Sequence, residues 1–97
     1  MHNISSLDLR HWIEDGRDFC LIDVREPAEH AVRNIGGTNI PLGELNQRKT
    51  EIPKDRTIVV YCEKGIRSVI AIQRLEESGF GELYNLSGGI KSWFQDI

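Results

Sequence analysis

The chain reads as an α/β protein with a mostly parallel central sheet and helices on both faces. Apolar runs of strand length at residues 19–24 and 57–61 are continuous rather than alternating, as in strands buried on both sides. Stretches of helical spacing separate the strand-like runs, so the two kinds alternate along the whole length. The 97 residues suit one compact domain, 1–97, whose core needs no staples.

Composition narrows the function classes. With 39% hydrophobic and 28% charged residues the chain is globular in character, not disordered. A formal net charge of −3 without a basic run argues against a nucleic-acid surface. No stretch approaches the length of a membrane span. Residues 1–6 lack the basic region and apolar segment of a secretory signal, so a cytoplasmic location is expected. Cys20 and Cys62 are then both expected as free thiols, since a lone disulfide is unusual in a reducing compartment.

Taken in order, Ser5 reads as a helix N-cap with Asp8 three positions on, and Leu9, Trp12 and Ile13 give that helix an apolar face ended by Gly16. Trp12 reads as packing and His11 as solvated surface, since no second histidine or cysteine stands at metal-ligand spacing. Residues 19–24 form a strand in which Cys20 acts as a small hydrophobe. Asp23, a carboxylate near the end of that buried strand, needs a partner from arginines or loop amides at the neighbouring strand end. Pro27 opens a short helical turn through His30. Gly36-Gly37 marks a loop, residues 38–40 a short strand, and Leu42 with Leu45 the buried side of a small helix. Residues 48–56 are polar, contain Pro53, and are expected to connect onward without a helix.

Residues 57–75 organise the rest: a strand to Tyr61, a tight loop, then a helix from Ser68 to Glu77. Val69, Ile72 and Leu75, broadened by Ile70 and Ala71, predict a helix covered on more than one side, with Gly79 as its C′ residue. A last strand over residues 82–86, a Ser87-Gly88-Gly89 turn and a helix carrying Ile90, Trp93 and Phe94 close the chain. A cysteine at such a strand end, before a helix N-terminus, faces unpaired backbone N–H groups, a setting that favours a thiolate. Lys64 and Arg67 are expected to supply cations. Gly65 allows φ values that would turn successive amides inward, and Ser68 reads as the N-cap. In open parallel sheets the ligand site lies beyond the carboxyl ends of the strands, where Asp23, Arg25, Cys62 and Arg67 all fall.

Cys62-Glu63-Lys64-Gly65-Ile66-Arg67-Ser68 resembles the active-site loop of the rhodanese family, and Asp23-Val24-Arg25-Glu26-Pro27 resembles that family's first conserved segment. The closing Gly-Gly turn and Trp93 agree. Where most relatives carry a glycine and a histidine, this chain has Arg33 and Asn34. The resemblance implies a rhodanese-like fold and a persulfide carried on Cys62. It implies a cradle of Glu63, Lys64, Gly65, Ile66, Arg67 and Ser68 for substrate, with Asp23 and Arg25 in supporting roles. Related phosphatases have one residue more in this loop, whereas four residues separate Cys62 from Arg67 here, so sulfur transfer is favoured over phosphate hydrolysis. Residues 35–37 and 40–45 also resemble rhodanese domains fused behind adenylating enzymes that activate sulfur carrier proteins, as in molybdopterin biosynthesis.

The expected function is therefore a sulfurtransferase that needs no metal or organic cofactor. Its sulfur donor is thiosulfate or a cysteine desulfurase persulfide, and its partners include a sulfur carrier protein or an adenylating domain. Glu63, where many thiosulfate users carry a cation, should weaken binding of a dianion. The alternatives are a rhodanese-like interaction module without activity, and a cysteine phosphatase or arsenate reductase of similar architecture.

Overall fold

In the computed structural model, which describes residues 1–95, the strands are β1 (His2–Ile4), β2 (Cys20–Asp23), β3 (Thr38–Asn39), β4 (Ile58–Tyr61) and β5 (Leu83–Leu86). The helices are α1 (Ser6–Glu14), α2 (Pro27–Val32), α3 (Leu45–Arg48), α4 (Arg67–Glu77) and α5 (Gly89–Gln95). The strands form one sheet in the order β1-β5-β4-β2-β3, and every pairing is parallel. Central β4 explains its own composition, because its side chains alternate between two buried faces. Ile58, Val60 and Cys62 pack with Leu45 of α3 and with Ala71, Ile72 and Leu75 of α4. Val59 and Tyr61 pack with Leu9 of α1 and with Ile90 and Trp93 of α5. Helices thus cover both faces, and a strand buried on both sides has no polar position to offer.

Local chemistry accounts for the helix ends. The Asp8 amide donates to Ser5 Oγ at 3.0 Å, capping α1 as its sequence indicates. Trp12 packs edge-on to Tyr84 at 5.1 Å between ring centroids. Ile13 departs from expectation: it is 48% exposed, because α1 meets the sheet along a narrow stripe through Ser6 and Leu9. Gly79, at φ +93°, ends α4, with the Phe80 amide returning to the Leu75 carbonyl at 3.1 Å. Ile70 is 39% exposed while Ala71, Ile72 and Leu75 are buried, so α4 is covered on one side only.

Two further differences follow from tertiary contacts. Residues 48–56 are not helix-free: a 3-10 turn at Lys49–Glu51 carries Ile52 into the core. β1 was not visible in the sequence, since of its three residues only Ile4 is buried and its pairing with β5 is what makes it a strand. Both cysteines are free thiols. No helix among the described residues is long and apolar enough to cross a membrane.

Candidate active site

Cys62 follows the last residue of β4 directly and is 1% exposed. Its sulfur accepts the Gly65 amide at 3.1 Å and the Ser68 amide at 3.4 Å, with Ser68 Oγ also 3.4 Å away. Gly65 reaches this position at φ +94°, where a side chain would be strained. Donors converging on one sulfur at a helix start suit negative charge there. Ser68 is not the N-cap, a position held by Ile66. Ser68 lies one residue inside α4, where its hydroxyl donates to Asn85 Oδ1 on β5 instead of capping a free amide. Asn85 Nδ2 in turn donates to the Gly65 carbonyl at 3.4 Å, so β5 braces the loop from below.

The loop is held from above by α5. The Ile90 amide donates to the Cys62 carbonyl at 2.9 Å and the Lys91 amide to the Glu63 carbonyl at 3.0 Å. Both carbonyls pass so close to Gly89 that a Cβ there would lie 2.6 Å from the Cys62 oxygen and 2.4 Å from the Glu63 oxygen.

Beside the loop, Asp23 and Arg25 form a buried pair. Asp23 Oδ1 accepts the Arg25 backbone amide and Nε, both at 3.0 Å, and Oδ2 lies 2.8 Å from both Arg25 Nη2 and His30 Nδ1. Burial alone would push the Asp23 carboxyl up, but the bonds from Arg25 and His30 outweigh it and hold the group below the usual carboxylate range. Arg25 Nη2 also donates to the Arg33 carbonyl at 2.8 Å, which ties the end of α2 to the same pair. Tyr61, across from Asp23 in the sheet, donates its hydroxyl to the Gly36 carbonyl at 2.9 Å. Its burial raises the phenol to about 12.

The two cations expected beside the sulfur, Lys64 and Arg67, both line a depression over it, but Arg67 is already held by a carboxylate. Arg67 makes a two-bond ion pair with Glu29 of α2, at 2.7 Å and 2.9 Å. Those bonds hold the Glu29 carboxyl at about 2. Glu63 lies 3.5 Å from Arg25 Nη1 and 3.8 Å from Arg33 Nη2. Lys64 is exposed and, among the described residues, makes no ion pair. An open depression of about 350 Å³ over the sulfur is lined by Cys62, Glu63, Lys64, Ile66 and Arg67. Gly65 and Ser68 are buried behind it, with their amides on the sulfur. Among the described residues there is no cluster of three or more histidine, cysteine or acidic side chains placed to hold a metal ion.

Reading the sequence therefore named the loop and the Asp23–Arg25 pair but missed Glu29, His30, Arg33, Asn85 and Gly89. Asn85 carried a usable signal, being polar at an inward position of a short apolar strand.

The family described as "Rhodanese-like domain" matches residues 5–96. The chain is 39% identical over 97 residues to a Mycobacterium tuberculosis protein named probable adenylyltransferase/sulfurtransferase MoeZ. That match covers 97% of this chain and 25% of that protein, so the chain spans about a quarter of its length. It is also 39% identical over 94 residues to a protein named sulfurtransferase from Allochromatium vinosum, covering 96% and 88% of the two chains. Among solved structures, the human single domain sulfurtransferase TSTD1 matches with a TM-score of 0.87 at 25% identity, over 100% of this chain and 98% of that one.

Proposed function

The chain belongs to the rhodanese-like domain family, and from that membership we propose that it is a sulfurtransferase carrying sulfane sulfur as a persulfide on Cys62. The observation that supports this reading best is the sulfur itself, buried at a strand end with the Gly65 and Ser68 amides directed at it. The Cys62 thiolate attacks the outer sulfur of the donor, and the donor's S–S bond breaks with its electron pair leaving on the donor fragment, sulfite in the case of thiosulfate. The new persulfide anion projects into the depression from Cys62, whose sulfur the same amides already reach. An acceptor nucleophile then attacks the outer sulfur, the Cys62 S–S bond breaks, and the thiolate is restored. No step calls on a metal or an organic cofactor.

The finer reading gives the sulfur to the C-terminus of an adenylated sulfur carrier protein, from thiosulfate or a cysteine desulfurase persulfide. Similarity to a protein named adenylyltransferase/sulfurtransferase supports it. A phosphatase reading is disfavoured, because the guanidinium that would clamp a phosphate is already occupied by Glu29.

Intact-mass spectrometry after exposure to a sulfur donor tests the proposal. One added sulfur atom, removed by reductant and missing in Cys62→Ser, is the expected result; an unchanged mass with every donor would sink it. Glu63→Arg is expected to lower the thiosulfate KM about tenfold or more, by replacing a negative charge at the mouth with a positive one. Initial rates of thiocyanate formation read that change, and an unaltered KM would clear Glu63 of opposing the dianion.

A further inference from the structure

We infer that Glu29 determines which sulfur donors reach Cys62, by binding Arg67 so that the mouth of the site favours singly charged donors over dianions. The inference rests on the sulfurtransferase reading and deepens it. Arg67 lines the depression over the sulfur, yet both of its terminal nitrogens are bonded to Glu29, at 2.7 Å and 2.9 Å. An incoming anion must compete with a carboxylate already in place.

That carboxylate is not free to swing away. Glu29 Oε1 also accepts the Glu26 amide at 3.0 Å, and the next residue, His30, is fixed 2.8 Å from the buried Asp23 carboxylate. The remaining charges pair off in the same way. Arg25 is matched by Asp23, and Glu63 stands 3.5 Å from Arg25 and 3.8 Å from Arg33. Of the cations lining the depression, Lys64 is the one left without a carboxylate partner among the described residues, so the side chains around the Cys62 thiolate sum to about one net positive charge. A persulfide or a thiosulfonate brings one negative charge to that setting and thiosulfate brings two, so the dianion feels the loss of Arg67 more.

The two members of the Arg67–Glu29 pair are each 35% exposed, so water and salt weaken the field they set up. Effects of a few-fold per unit charge follow, and a dianion should feel roughly the square of what a monoanion feels. That charge scaling separates an electrostatic role from a merely structural one.

Glu29→Gln keeps an oxygen for the Glu26 amide and removes the charge. In a Cys20→Ser background, the alkylation rate of Cys62 by iodoacetate relative to iodoacetamide should rise about threefold at low salt, and the rise should shrink in high salt. The thiosulfate KM should fall about tenfold and the benzenethiosulfonate KM about threefold, with kcat within twofold of the parent. Lys64→Gln, at an exposed position, should move the alkylation ratio about threefold the other way. Equal changes for both donors, or an alkylation ratio indifferent to both substitutions, would overturn the inference. If no donor yields thiocyanate while the ratio still shifts as expected, sulfur transfer is refuted and the electrostatic role of Glu29 stands.

Discussion

Alanine at Gly89 should cost a hundredfold or more in sulfur-transfer kcat/KM, the largest loss expected from any change outside the loop itself. Gly89 sits at φ +64°, and the Cβ that alanine adds would meet the backbone oxygens of Glu63 and Cys62 at 2.4 Å and 2.6 Å. Neither oxygen can yield as a flexible side chain would. Each is also the acceptor for an α5 amide, from Lys91 and Ile90. The loop must therefore lift off α5, carrying Cys62 with it, and displacements near 1 Å at a reacting group cost on the order of a hundredfold. Backbone strain adds about 1–3 kcal/mol of destabilisation. Gly16→Ala is the control, since Gly16 has a similar φ of +68° with nothing within 4 Å of its added Cβ. That variant should lose only the strain share of stability, about 1–3 kcal/mol, in a denaturant titration and keep its kcat/KM. If Gly89→Ala transferred sulfur as well as Gly16→Ala, the docking of the loop on α5 would have no part in activity.

The contrast between what the sequence disclosed and what it concealed follows from contact range. The strand, loop and helix around Cys62 are continuous in the chain, so β4, Gly65 and the end of α4 at Gly79 could be placed from local pattern. Asp23 could be singled out because a buried carboxylate demands a partner wherever the partner lies. Glu29 had no such mark, and Gly89 was marked only as part of a turn. Each is an ordinary residue at a helix start, and its importance comes from Arg67 or from the Cys62 and Glu63 carbonyls, across the fold. Ser68 shows the same effect in reverse, since its local context indicated a cap while Asn85, on another strand, claimed its hydroxyl. Arg67 was expected to face the sulfur because nothing in the neighbouring sequence competes for it. The competitor lies 38 positions away.

Removing the Asp23 charge should have the greatest effect on stability. The Arg25 side chain is 2% exposed and its guanidinium meets the Asp23 carboxylate through Nε and Nη2. Asp23→Asn leaves the buried Arg25 cation with only Glu63, 3.5 Å from Nη1 and one-third exposed, as counter-charge, and breaking a buried pair costs about 3–5 kcal/mol. The retained amide oxygen places the expectation near 3 kcal/mol, or a Tm lower by about 15 °C. The pH dependence should change as well. Because the Asp23 carboxyl is held below its ordinary range in the folded protein, its contribution is complete above that range and is lost as pH falls through the lower folded value. Glu29, at about 2 when folded, behaves likewise. The parent protein should therefore lose stability progressively as pH falls below about 4.5, with Glu29 taking up its proton near pH 2 and Asp23 below the usual carboxylate range. Asp23→Asn should start lower at pH 7 and fall less steeply, because one of those two groups no longer titrates. Denaturant midpoints at pH 7, 4 and 3 read both effects together. A variant whose midpoint tracks the parent's at a constant offset would mean that Asp23 keeps its ordinary affinity for protons, and with it that the Arg25 pair does not hold the strand end beside the loop.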